Sequence, residues 1–485
     1  MSKKQITYFL LAYIALRVFS FFFHPGLIDS IVSAGVLLSA IYFLLKRSEY
    51  GWYIVAGEII LGGTESFLEI RGMSLRTLLL ICSALIFIGY KIKDKKVRET
   101  INANKKITAI ICAIYIWLAY SALNGWWSGF TIGNIKAAVI PYLFLFYYYP
   151  LVELLRSDKF KNIALNLLAA AIFGNLIFII FTFIGYSSGL LHLQDSYYHW
   201  FRDVANGKIT GFDFNFYRIV LNEQLLLIPL LLCFLSPLCH PELVSGSLFK
   251  RLSIALSLAL IILLSINFTR IYILALPIGL MFLFKPGIKE SLYIKFKQFE
   301  KWLIYTAAVM AIFFLSFTII HFAASRGQSL GWEFFGIRLQ SIAMPQIEDS
   351  SLSRLVLLPA VLDKIKLHPV LGNGLGDSVS ISINYLMIEG SKFTPAVNIT
   401  TTDFDWGYLQ MIDNLGLVGF AIWIFFIVYC FSAIYSSQLT NKKALIASLV
   451  ALLVINVTSP ALFHVMGIIW ITTVISMTKS SRVSS

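Results

Sequence analysis

Long apolar runs separated by short polar stretches fill the chain from end to end. A helix that crosses a bilayer needs about 20 mostly apolar residues. About fourteen stretches meet or approach that length, near 7–23, 28–45, 52–63, 75–90, 107–121, 136–153, 162–185, 219–236, 252–268, 271–285, 301–323, 409–435, 443–457 and 461–478. The pattern predicts an all-α polytopic transmembrane bundle of about 12–14 spans. The runs 52–63, 271–285 and 443–457 are short, and each fits a re-entrant segment or half of a broken helix. Two intervals, 186–218 and 324–408, are too long to be connectors. Their aromatic and apolar content argues for folded structure rather than disorder. Within the second, Arg354–Leu367 (RLVLLPAVLDKIKL) reads as a helix lying on the membrane surface. Ser351 or Ser353 is its expected N-cap, and His368-Pro369 its expected end. No role is assigned to 237–249, and no internal repeat is visible.

Lys and Arg give the bundle a direction. With the N-terminus inside, cytoplasmic segments hold Lys3, Lys4, Lys46, Arg47, the run from Lys91 to Lys106, Arg156 to Lys161, Lys250, Arg251, Lys285 to Lys301, Lys442, Lys443, Lys479 and Arg482. The short outside loops hold far fewer, which predicts both termini in the cytoplasm. The N-terminus reads as an uncleaved first span, because no small-residue cleavage site follows its apolar run. Composition supports a membrane solvent: 58% of residues are hydrophobic and 13% are charged, with a mean hydropathy of +0.79. A soluble domain carries about 25% charge. The net charge of +14 does not point to nucleic acid, because the basic residues sit in loops between spans. The five cysteines show no CxxC and no ligand spacing, so neither a disulfide framework nor a metal site is expected.

Charges near lipid are expensive and ask for a reason. Arg218 is expected to open the eighth span at its outer end, and Arg270 to lie in the tight outer turn between spans nine and ten. Guanidinium groups bind phosphate bidentately and stay ionised. Two of them at one outer cavity, within about 10 Å of each other, would suit a diphosphate. The plainer alternative is snorkelling or a pair with Glu223. Glu223, about one turn inside the eighth span with Asn222 and Gln224, is either a pocket group or part of a polar cluster tying helices together. Arg17 lies inside the first span; Glu58 and His464 read as packing or pairing residues. Asp403 and Asp405 stand just before the twelfth span. They fit either a base with raised pKa or helix capping. His368 fits a structural role in its turn better than a base.

The segment SRLVLLPAVLDKIKLHPVLGNGLGDS resembles the signature of the O-antigen ligase and O-antigen polymerase superfamily. Pro369, Gly372, Gly374 and Gly376 match its proline and glycines, and Gly416-Leu417-Val418-Gly419 match a later Gly-x-x-Gly. Thr269-Arg270 resembles the family's hydroxyl-arginine pair, and the Arg218 region is a looser match. The likeness spans roughly 160–435, as a core with the 324–408 loop between N-terminal spans (1–160) and C-terminal spans (436–485). It implies a GT-C-like fold in a bacterial inner membrane, with a large periplasmic loop containing short helices. It also implies a metal-independent glycosyltransferase without a cofactor. The donor would be a glycan on undecaprenyl diphosphate. The acceptor would be lipid A-core or a second lipid-linked repeat. Arg270 and Arg218, with Arg338 or Arg354, would hold the diphosphate. Asp405 and Trp406 stand where family ligases carry a His and its polar neighbour, which favours polymerisation over ligation and gives Asp405 the acceptor-activating role. The rival readings are a non-enzymatic transporter or flippase of envelope precursors, and a membrane scaffold.

Overall fold

The computed structural model describes residues 2–63, 66–93, 105–239, 247–284, 291–344, 349–383 and 397–480. It is 77% helical, so the chain is an all-α polytopic protein. Among the described residues eight helices are long and apolar enough to cross a membrane: Lys3–Phe23, Leu27–Leu45, Lys105–Trp127, Ile132–Leu154, Asp158–Ser187, Lys250–Asn267, Tyr293–Ala324 and Gly407–Tyr435. Shorter apolar helices are Leu75–Tyr90, Asn222–Ser236, Arg270–Leu283 and Val465–Ser480.

In chain order the first helices are α1 (Lys3–Phe23), α2 (Leu27–Leu45), α3 (Glu49–Leu61) and α4 (Leu75–Lys93), with β1 (Glu69–Ile70) and β2 (Met73–Ser74) before α4. Then come α5 (Lys105–Trp127), α6 (Ile132–Leu143), α7 (Tyr148–Leu154) and α8 (Asp158–Ser187). The span expected at 136–153 falls within the candidate span Ile132–Leu154, which contains a 3-10 turn at Phe144–Tyr147. The first long loop folds as α9 (Ser196–Asp203) and the hairpin β3 (Lys208–Gly211) and β4 (Tyr217–Val220). Helices α10 (Leu227–Cys239), α11 (Ser247–Asn267), α12 (Arg270–Leu283) and α13 (Leu292–Ala324) follow. The second long loop holds α14 (Trp332–Ala343), α15 (Asp349–Leu367) and the hairpin β5 (Val379–Ile383) and β6 (Val397–Thr401). The last helices are α16 (Gly407–Tyr435), α17 (Lys442–Ile455) and α18 (Val465–Ser480).

Several boundaries differ from the sequence expectation. Arg218 does not open a span; it sits on β4, and the helical path begins with a 3-10 turn at Asn222–Leu226. Isoleucines explain the strand, since Ile209 and Ile219 pair across it and are both buried. Ser351 and Ser353 do not cap α15, because that helix already begins at Asp349. It does end at Leu367, before His368-Pro369. The short runs near 52–63, 271–285 and 443–457 are helices of 13, 14 and 14 residues, too short to span unaided.

Glu223 belongs to a buried polar network. Its carboxylate lies 3.3 Å from the Arg17 guanidinium, with side chains 3% and 10% exposed for Arg17 and Glu223. It also accepts from Tyr13 Oη at 2.9 Å and from Asn175 Nδ2. Gln224 donates to Asn175 Oδ1, Asn267 donates to Gln224 Oε1, and Thr269 donates to Asn267 Oδ1. These bonds tie α1, α8, α11 and the start of the α10 path together, as polar residues do between helices in lipid. Glu223→Ala would leave Arg17 buried without its counter-charge, which costs about 3–5 kcal/mol. The thermal midpoint of the purified protein in detergent should fall clearly; an unchanged midpoint contradicts this assignment.

The glycine-rich turn after α15 is a plug between α5 and α16. Gly416 has φ 67 and ψ 177 and breaks α16. A Cβ there would lie 2.3 Å from Val370 O and 2.4 Å from Gly372 N. Leu417 and Val418 donate instead to Pro369 O and Val370 O, at 2.9 and 3.2 Å. Gly374, at φ +102, packs so close to α5 that a Cβ would lie 2.4 Å from Gly125 N. Asn373 N donates to Asp413 O at 2.7 Å, and Leu375 N to Ser121 O at 3.0 Å. The turn therefore fixes the end of α15 against the first turns of α16.

Candidate functional site

Five cations lie on the β3–β4 hairpin (Lys208, Arg218), at the start of α12 (Arg270), and on α14 (Arg338) and α15 (Arg354). Thr210 on β3 faces Arg218 on β4, and Lys208 faces Val220. Side chains two apart share a face of a strand, so Lys208 and Arg218 lie diagonally on one face. Diagonal neighbours sit roughly 7–8 Å apart. Arg218 Nε donates to Asn267 O at 2.8 Å, and Nη2 to Thr269 Oγ1 at 2.9 Å. Glu223 is engaged by Arg17 instead, so the alternative pair with Arg218 is not formed. The Glu223 network thus reaches the Arg218 guanidinium through Thr269.

Arg270, the next residue after Thr269, opens α12. Its guanidinium donates to Ser341 Oγ on α14, and that hydroxyl donates to Arg338 O at 2.9 Å. Arg338, one turn earlier, is 4% exposed and its guanidinium lies 5.0 Å from the Phe212 ring centre and 5.4 Å from that of Phe334. Such stacking favours Arg over Lys. Arg354 on α15 reaches Asp405, with Nε 3.3 Å from Oδ2.

Electrostatics connects these groups. The protein packed around the Lys208 amine, and then the charge of Arg218, hold it below the usual lysine range. Arg354 and Arg338 push the same way, and Asp405 opposes them. A lysine feels this set of charges only if all of them lie in its neighbourhood. Asp403 sits at the surface, yet surrounding low-dielectric protein and the neighbouring Asp405 push its carboxyl up to about 6. Neither aspartate caps α16: the N-cap position is Trp406, with no side-chain cap bond. Asp405 adopts φ 56, a conformation costly for a non-glycine residue and common at functional sites.

The remaining candidates serve the fold. Glu223 is bound into the helix-tying network, and the exposed His368 closes the glycine turn through its carbonyl, which accepts from Gly372 N at 2.9 Å. Lys208 was missing from the sequence reading. Its signal was the alternation Lys208-Ile209-Thr210 and Arg218-Ile219 around a polar turn, a hairpin pattern inside an interval read for helices. Among the described residues no group of three or more His, Cys, Asp or Glu side chains is placed to hold a metal ion. Basic side chains gathered near two aspartates, one of them with its carboxyl pushed up to about 6, suit an anionic ligand beside a hydroxyl that must lose a proton. Comparison with known proteins finds no matching family model, no matching curated protein and no matching solved structure.

Proposed function

We propose that the chain is a membrane glycosyltransferase of the O-antigen ligase and polymerase type, moving a glycan from a polyprenyl-diphosphate carrier to a sugar hydroxyl on the extracytoplasmic side of a bacterial inner membrane. The observation that carries this reading is the convergence of Lys208, Arg218, Arg338, Arg354 and Asp405 around one lysine's field, with Arg270 joined to the group through Ser341. The acceptor oxygen attacks the anomeric carbon, the bond from that carbon to the diphosphate oxygen breaks, and the carrier diphosphate leaves. The cations stabilise the charge that develops on it, which is usually the largest catalytic contribution. Asp405, held by Arg354, orients that arginine. Asp403 takes the acceptor proton, since a carboxyl near 6 is a better base than one engaged by a guanidinium. Polymerisation is favoured over ligation because Asp405 replaces the family His.

The sign of the pH dependence follows. Below about 6 Asp403 is protonated and cannot accept a proton, so transfer should rise as pH climbs through that value and then level off. Asp403→Asn should lower the rate by about 10²–10⁴-fold and abolish the inflection. A retained inflection in that variant assigns the base elsewhere.

The break in α16 at Gly416 is a feature that a transporter would also use. Here the break is filled by the chain's own Val370–Gly372 backbone rather than facing an open path, which favours the enzyme.

A further inference from the structure

The tip of the β3–β4 hairpin turns one aromatic ring away from the protein at a conformational cost. Its sequence, Phe212-Asp213-Phe214-Asn215-Phe216, places a ring at every second position. In a regular strand all three rings would share one face. They do not, because Phe214 has φ 59 and ψ 35 and Asn215 has φ 56. The first and last rings pack inward. Phe216 is fully buried, with its ring centre 5.7, 5.1 and 5.6 Å from those of Phe317, His321 and Phe334. The Phe212 ring lies 4.4 Å from that of Phe334, and Phe212 N–H donates to Phe216 O at 2.8 Å, closing the tip. Phe214 is left 44% exposed. Asparagine tolerates the left-handed region, whereas a bulky residue there is an outlier. Strain of this kind persists only where the surroundings enforce it, and it collects at ligand-binding sites.

The neighbours of the ring indicate what meets it. Asp213 and Asn215 flank it, are exposed, and make no side-chain hydrogen bond or ion pair among the described residues. A carboxylate accepts from hydroxyls, and a carboxamide both donates and accepts. A flat apolar face bordered by such groups complements a pyranose: the sugar's C–H face meets the electron-rich face of the ring, and its hydroxyls meet the polar rim. The plainer alternative is a membrane anchor, but anchors set apolar residues among Lys and Arg, and interfaces favour Trp and Tyr. The same hairpin carries Lys208 and Arg218, and the Arg338 guanidinium lies 5.0 Å from the Phe212 ring centre. At a rise of about 3.3 Å per strand residue, the tip stands roughly 10 Å beyond Arg218. A phosphate at Arg218 therefore leaves the tip to a sugar farther along the chain. We propose that Phe214, with Asp213 and Asn215, is a stacking subsite for a pyranose ring of the glycan, set apart from the diphosphate; this rests on the glycosyltransferase reading above.

Three variants separate the roles of this residue. Phe214→Leu keeps the apolar bulk and loses the ring face, Phe214→Trp keeps a ring face, and Phe214→Gly suits the backbone. The full chain in detergent is titrated with methyl glycosides of glucose, galactose, mannose, rhamnose and N-acetylglucosamine, read by saturation-transfer NMR. At least one should bind, about five- to tenfold more weakly to Phe214→Leu and near the parental level to Phe214→Trp. Phe214→Gly should lose binding likewise, with an unchanged or higher thermal midpoint. In transfer assays Phe214→Leu should raise KM about five- to tenfold with kcat near the parental value. A carrier-linked glycan with its accepting hydroxyl methylated serves only as donor, and a reducing-end methyl glycoside only as acceptor; the KM that rises identifies which of the two the ring holds. Absence of binding by every glycoside, or Phe214→Leu matching the parent in both assays, overturns the subsite. So does a lower midpoint in Phe214→Gly, since the ring would then be part of the fold. A parent that binds a glycoside through Phe214 yet forms no product contradicts the transferase reading and leaves the sugar site standing.

Discussion

Replacing Arg270 with alanine is expected to lower glycan transfer by about 10²–10³-fold, the loss typical when one preorganised donor to a developing anion is removed. Arg270 is half-buried at the start of α12, and its contact with Ser341 links it to the α14 turn that carries Arg338. Alanine there removes a charge without disturbing the Arg218 bonds to Asn267 and Thr269. Protein level in the membrane and thermal midpoint should stay near those of the parent. Arg270→Lys should recover only part of the rate, because an ammonium cannot grip a diphosphate bidentately. The readout is the rate of product formation by purified protein; a parental rate in Arg270→Ala removes this residue from the site.

Gly416→Ala should have the largest effect on stability. The residue holds φ 67 and ψ 177, a region almost reserved for glycine, and leaving it costs about 1–3 kcal/mol. The added methyl would also meet Val370 O at 2.3 Å and Gly372 N at 2.4 Å, both backbone atoms that cannot swing aside. The turn must then withdraw from α16, taking the end of α15 with it and displacing Arg354 from Asp405. We expect a loss of more than about 3 kcal/mol, typical of strain combined with overpacking. It should appear as a large fall in thermal midpoint together with lost transfer. An unchanged midpoint would show that the turn is not clamped against the helix break.

The membrane helices were legible because lipid imposes a composition that no other solvent demands, and most expected apolar runs coincide with helices in the described residues. The glycine turn was legible as a motif, but not as a plug. Its partners Ser121, Asn124 and Gly125 lie on α5, far back in the chain, and no local pattern names them. The same distance hid the Arg17–Glu223 pair, whose members are 206 residues apart. Each was visible alone as a charge in an apolar run. Lys208 escaped for a different reason. Its short hairpin sits inside a bundle where helical periodicity governs the reading, and four-residue strands carry little signal of their own. Arg218 and Arg270 stood out because the charge bias that orients a bundle gives them no role on the side where the sequence expects them.

The most direct test of the diphosphate-gripping cluster is transfer by the purified protein from a polyprenyl-diphosphate-linked oligosaccharide, with lipid A-core added in one arm only. The proposed chemistry predicts longer glycans on the carrier in the arm without lipid A-core, released polyprenyl diphosphate in step with them, and loss of both in Arg218→Ala and Arg270→Ala. A donor left intact in both arms, under conditions where the parent protein is folded, contradicts it.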